Sequence, residues 1–160
     1  GTAEQARFST PSGVAAAPDG AVYVADTGNH AIRRISRDGT VTTVAGTGAP
    51  GFADGTGPQA QFDGPIGIAA DARGRLVVAD TYNDRIRVIE VDGSVRTLAG
   101  GDRPGFLDGP GGEARFDTPC GVAIDTTGRL IVADTGNGML RQITPDGVVS
   151  TIQTAGVGLE

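Results

Sequence analysis

Apolar residues along this chain fall in runs of about five, each closed by Pro, Asp, Asn or Gly. The first four are GVAAA (Gly13–Ala17), AVYVA (Ala21–Ala25), AIRRIS (Ala31–Ser36) and TVTTVA (Thr40–Ala45). Runs this short, bounded by turn residues, predict strands. The punctuation between them is Pro18-Asp19-Gly20, Thr27-Gly28-Asn29 and Asp38-Gly39. Pro presets φ, Asp and Asn bond their own backbone, and Gly supplies positive φ, so each break predicts a tight reversal. Four antiparallel strands per unit follow.

The pattern then repeats. Phe8, Phe62 and Phe116 are 54 residues apart, and the same spacing links Pro11, Pro65 and Pro119, then Gly20, Gly74 and Gly128. Asp26, Asp80 and Asp134 keep it, as do Arg33, Arg87 and Arg141 and the Asp-Gly pairs at 38, 92 and 146. The chain is three copies of one unit, approximately 8–46, 62–100 and 116–154, within a single segment spanning 1–160. Connections 47–61 and 101–115 are longer than compact repeats need, and Phe52, Phe106, Phe62 and Phe116 are expected to plug them into the core. GTAEQARF at the start matches the second half of such a connection. The final Leu159-Glu160 leaves the repeat and reads as a cloning scar.

Composition agrees with turns and short strands, with 27 Gly, 9 Pro and no Trp in 160 residues. The formal charge of −6 disfavours nucleic acid as a main partner, because phosphate binding needs clustered cations. One cysteine, Cys120, excludes an internal disulfide and a thiolate metal site, and is expected to be a small buried side chain. No apolar run approaches the roughly 20 residues that span a bilayer.

The turn after the second strand carries VADTGN, VADTYN and VADTGN in the three units. Asp26, Asn29 and Arg33, with Asp80, Asn83, Arg87, Asp134, Asn137 and Arg141, form a motif that is either a site used three times or a joint needed in every unit. Asp and Asn suit a turn that bonds its own backbone, and the Arg could pair with the Asp. Catalysis needs unlike groups converging once, which identical groups do not provide, so the structural reading leads. Binding is sought instead where the copies differ. His30, Asp84 and Gly138 replace one another, as do Gly28, Tyr82 and Gly136, and Ser12, Ile66 and Cys120. With Asp102 and Arg103 from the second long connection, His30, Tyr82 and Asp84 form a candidate ligand-binding rim.

The elements P-x-G-[IV]-A, G-x-[LV]-x-V-A-D-T-x-N, [IL]-R, D-G-x-V-x-T and A-G resemble the NHL repeat, a four-stranded blade of a β-propeller, and GF-x-DG…A-x-F resembles bacterial members with long connections between blades. The resemblance implies an all-β fold with three antiparallel blades per chain. Three blades leave two apolar faces of roughly 300 Å² each, near the largest patch a monomer tolerates. Further blades or a second copy could cover them. The expectation for this chain is a six-bladed ring closed by two-fold dimerisation, with Val22, Val24, Leu130 and Val132 at or near the new junctions.

Three functions are implied. The first is a non-catalytic scaffold that binds a protein, peptide or glycan on the loop-rich face, without a cofactor or metal. The second is an enzyme like the six-bladed lactonases, strictosidine synthases or amidating lyases, with a metal at the channel mouth. One His and no Glu near the inner strand openings argue against it. The third is RNA binding, against which the acidic balance and scarce aromatics argue. An extracellular or periplasmic setting is expected.

Overall fold

The computed structural model describes residues 1–153; the expected scar at 159–160 lies outside them. The first sheet consists of β1 (Pro11–Ala16), β2 (Val22–Asp26), β3 (Ala31–Ile35) and β4 (Val41–Ala45) in that spatial order. The second holds β5 (Gly55–Thr56), β6 (Pro65–Ala70), β7 (Leu76–Asp80), β8 (Arg85–Ile89) and β9 (Ser94–Gly100), in the order β5-β9-β8-β7-β6. The third holds β10 (Gly109–Pro110), β11 (Pro119–Ile124), β12 (Leu130–Asp134), β13 (Met139–Ile143) and β14 (Val148–Thr151), in the order β10-β14-β13-β12-β11. All pairings are antiparallel. These are three propeller blades, each made of the four strands that the hydrophobic runs predict.

The second and third blades hold one strand more than expected. The long connection before each contributes a two-residue strand, β5 or β10, to its outer edge. The first blade keeps the equivalent contact as a single bridge between Thr2 and Thr40. The long connections are thus stitched to the blade that follows them.

Packing between blades follows the period-two alternation of the strands. Leu76 and Val78 face the first blade and meet Ala25, Ile32 and Ala45, while Val77, Ala79 and Ile86 face the third and meet Leu130, Val132 and Ile143. The middle blade is covered on both faces, so every residue of β7 and β8 is buried. Leu130 and Val132 therefore do not lie on an open outer face as expected. Their side of β12 faces the middle blade, and the residues one position out of phase face away.

The inner strands approach one another closely. A Cβ on Gly13 would collide with the carbonyl oxygen of Ile66, and one on Gly67 with that of Cys120. This is why the repeat reads P-x-G: the third position must be bare for the next blade to close in. Cys120 is half-buried, not fully buried, and its thiol donates to the Thr118 carbonyl at 3.3 Å. Among the connection aromatics, Phe62 and Phe116 are fully buried plugs. Phe52 and Phe106 stay 43% and 52% exposed, so they serve as lids over polar groups and not as core.

Candidate functional site

Each repeated motif residue has a separate bonding role. Asp80 ends β7 with no exposed surface. Its Oδ1 accepts from the backbone N–H of Asp63 at 2.8 Å, and its Oδ2 accepts from Asn83 Nδ2 at 2.8 Å and from Arg87 Nη1 at 2.6 Å. Asp134 repeats this with Asp117 N–H, Asn137 and Arg141 at 2.8, 2.8 and 2.7 Å. Asp26 does so with Ser9 N–H and Asn29 at 2.8 and 2.9 Å, while Arg33 stands farther off at 3.3 Å. Burial pushes the Asp80 carboxyl above its ordinary value, against the bonds from Asn83 and Arg87. The Thr between them faces the neighbouring blade: Thr27 Oγ1 donates to Pro65 O at 2.6 Å and Thr81 Oγ1 to Pro119 O at 2.8 Å.

The arginines carry the motif out to the long connections. Arg87 Nη2 donates to Ala53 O and Asp54 Oδ1, both at 2.8 Å, and its guanidinium lies 4.8 and 4.9 Å from the ring centroids of Phe52 and Phe62. Arg141 is held likewise by Leu107 O and Asp108, between Phe106 and Phe116. Asp108 also accepts from the backbone and hydroxyl of Thr151. Burial pushes the Asp108 carboxyl up, but the bonds from Arg141 and Thr151 outweigh it and its pKa lies below the ordinary value.

The rim residues divide. His30 and Asp84 both sit in the left-handed region, with φ of 49° and 53°. His30 Nδ1 accepts from Gly64 N–H at 3.1 Å, and Asp84 Oδ1 accepts from Thr118 N–H at 2.8 Å. Each side chain thus reaches the start of the next blade, and His30 Nδ1 also stands 3.4 Å from Asp63. Burial raises the Asp84 carboxyl above its ordinary value, opposed by the Thr118 N–H, and the carboxylates of Asp117 and Asp134 raise it further.

Tyr82 is 61% exposed, and its ring covers Gly64. Two positions change together here. Where the other units have Gly28 or Gly136, a Cβ would meet Ser9 or Asp117 first and Thr10 or Thr118 next; the second unit has Asp63 at the first of these positions and Gly64 in place of the Thr, and the Tyr82 ring lies over Gly64. The structure brings His30, Asp63 and Tyr82 together around Gly64. Asp84 stands at the next junction. Asp102 is exposed and pairs with Arg85 at 3.0 Å, while Arg103 is exposed and forms no ion pair among the described residues. Sequence reasoning passed over Arg85, which stacks 3.8 Å from the Phe52 centroid; the signal was present in the exchange of Ala31, Arg85 and Met139 at one repeat position. Among the described residues, no three His, Cys, Asp or Glu side chains cluster in a way that could hold a metal, and no helix is long and apolar enough to cross a membrane.

The NHL repeat model matches residues 8–35 and 62–89. NHL repeat-containing protein 2 of Gallus gallus is 34% identical over 86% of this chain, which spans 21% of that relative. An auxiliary nutrient binding protein from Bacteroides ovatus shares the fold with a TM-score of 0.75 at 23% identity, over 93% of this chain and 39% of that one. A virginiamycin B lyase from Staphylococcus aureus shares it with a TM-score of 0.66 at 18% identity, over 95% of this chain and 44% of that one. The fold therefore occurs in both binding proteins and enzymes, and this chain spans less than half the length of each of these three. The repeat matches, the related sequence and the blade architecture together identify the chain as a member of the NHL-repeat family of β-propellers.

Proposed function

We propose that the chain is a non-catalytic binding propeller whose turn face, centred on Tyr82, recognises a protein, peptide or glycan. The observation that carries this reading is the Tyr82–Gly64 pair. An aromatic ring this exposed contributes little to folding, yet the chain departs from its own repeat at two positions to seat it. A flat ring beside the imidazole of His30 and the carboxylate of Asp63 offers stacking and directional hydrogen bonding, the combination that anchors peptide and sugar ligands. Asp84, Asp102 and Arg103 extend this surface.

The test uses the double variant Gly64→Thr with Tyr82→Gly, which restores the first and third units' solution and removes the platform. Full chain and variant are compared on arrayed glycans and peptides. The variant should melt within a few degrees of the parent and lose the parent's binding. Equal binding by both would end the turn-face reading.

The open faces of the end blades support a second copy as a structural partner. Val14 and Val22 are 69% and 37% exposed, whereas their counterparts Ile68 and Leu76 are 6% and 2% exposed. Leu140 is 42% exposed where Ile86 is fully buried. Two chains meeting through these faces would complete a six-bladed ring. Light scattering at micromolar concentration should then report twice the 16.1 kDa chain mass; a monomer throughout would refute the dimer.

A further inference from the structure

The two junctions between blades are built differently at the end of the strands opposite Tyr82. At the second junction, Val77 and Val88 of the middle blade meet Leu130 and Ile143 of the third, and all four are buried. At the first junction Leu76 and Ile89 occupy the places of Leu130 and Ile143, but Tyr23 and Arg34 stand where Val77 and Val88 would be. Tyr23 packs, half-buried, on the cluster that holds Leu76 and Ile89. Arg34 is drawn aside to Asp19, which its Nη2 meets at 3.1 Å. Between these two blades there is a cleft of 380 Å³, walled by Tyr23, Val44, Leu76 and Ile89.

Two more departures from the repeat line the same cleft. Val91 is 72% exposed at the position of Arg37 and Pro145, and Arg73, also exposed, stands where the other units have Asp19 and Thr127. The charges around the cleft differ in what is left for a ligand. Asp19 is engaged by Arg34, and Glu90 by Arg96 at 2.9 Å. Arg73 bonds Asp71 through its backbone N–H at 2.9 Å, but its guanidinium makes no ion pair and no hydrogen bond among the described residues. The cleft therefore joins an aromatic and aliphatic wall to one unmatched positive charge.

From this combination we propose that the cleft between the first and second blades binds a small aromatic carboxylate. The ligand ring packs against Tyr23 and the aliphatic side chains of Leu76, Ile89 and Val91, and its carboxylate accepts hydrogen bonds from the Arg73 guanidinium. The volume lies at the small end of ligand pockets and suits an acid of one or two rings. An aliphatic acid would pair with Arg73 and leave the Tyr23 ring without a partner; a neutral aromatic would do the reverse. A cation would meet a positive charge that nothing offsets. The site shares no residue with the Tyr82 platform and lies at the other end of the strands, so either reading can fail without the other.

The experiment titrates the full chain with 3-(indol-3-yl)propanoate. The expected result is saturable calorimetric binding with a Kd below about 1 mM. The primary amide of the same acid, and hexanoate, should each bind at least about tenfold more weakly. On the protein, Arg73→Gln changes an exposed side chain and should leave Tm unchanged; it should weaken the acid at least about tenfold and leave the amide's affinity as it was. Tyr23→Val installs the second unit's own residue and should weaken the acid while the chain still melts cooperatively. Absence of saturation at several times that concentration would overturn the proposal, as would equal affinity for the acid and its amide or indifference of the acid to Arg73→Gln.

Discussion

Thr81 Oγ1, almost fully buried, donates a 2.8 Å hydrogen bond to the carbonyl of Pro119 at the opening of the next blade. Thr27 makes the same bond to Pro65 at 2.6 Å. Among the described residues no blade follows Thr135, and the one bond its hydroxyl makes there is to the Ala133 carbonyl at 3.4 Å.

Removing the Thr81 hydroxyl strands the Pro119 carbonyl in a buried junction. Thr81→Val should cost ~1–3 kcal/mol, read as a fall in Tm by scanning calorimetry, whereas Thr135→Val should cost less than about 0.5 kcal/mol. Equal losses at the two positions would show that the bond between blades contributes nothing.

The buried aspartates differ in what depends on them. Asp80→Ala removes the partner of an arginine with no exposed surface, leaving that charge uncompensated by its motif carboxylate, and should cost ~3–5 kcal/mol. Asp26→Ala should cost less, because Arg33 is farther away and partly solvated. Urea denaturation of both variants checks the order. If either instead abolished ligand binding with no loss of stability, the joint would be a site after all.

Gly67 and Gly121 occupy the same repeat position with different neighbours. Gly67→Ala drives a methyl into the Cys120 carbonyl and must push two blades apart, while a Cβ on Gly121 meets only Ala133 Cβ at 3.3 Å. The first should lower Tm by many degrees and the second by few. A mild Gly67→Ala would mean that the inner strands can part without cost.

Acid should loosen the clamps on the long connections. The folded pKa of Asp108 lies below its ordinary 3.8, so the stability it contributes is present above that value and lost as pH falls through the folded pKa. Asp80 and Asp84 have raised pKa values and act oppositely: the stability linked to their protonated forms is present below the ordinary value and lost as pH rises through the folded one. Asp108→Asn should therefore show a smaller drop in Tm than the parent between about pH 5 and pH 2. Parallel Tm profiles for the two would remove Asp108 from the acid response.

The strands and their register were legible because one 54-residue pattern recurs three times and alternation assigns each apolar residue a face. Which face meets which neighbour was less so. Leu130 and Val132 are apolar on one side of β12, but nothing in their spacing says that this side turns toward the preceding blade. Repeat exchange marked Tyr82 as unusual, yet its dependence on Gly64, 18 positions earlier, needs the fold to bring them together. His30 and Asp84 read as rim residues available to a ligand because their partners, the N–H groups of Gly64 and Thr118, lie 34 residues ahead.

The clamp on Arg87 also sets an order of assembly during synthesis. Asp54 emerges from the ribosome before every strand of the blade it closes, and its partners Arg87 and Thr97 follow 33 and 43 residues later. Until β8 has been made the connection lacks its guanidinium, and until β9 has been made it lacks its edge. A nascent chain therefore carries Phe52 unanchored through most of one unit's translation, and the second and third blades lock only when their last strands appear and capture the connection made before them.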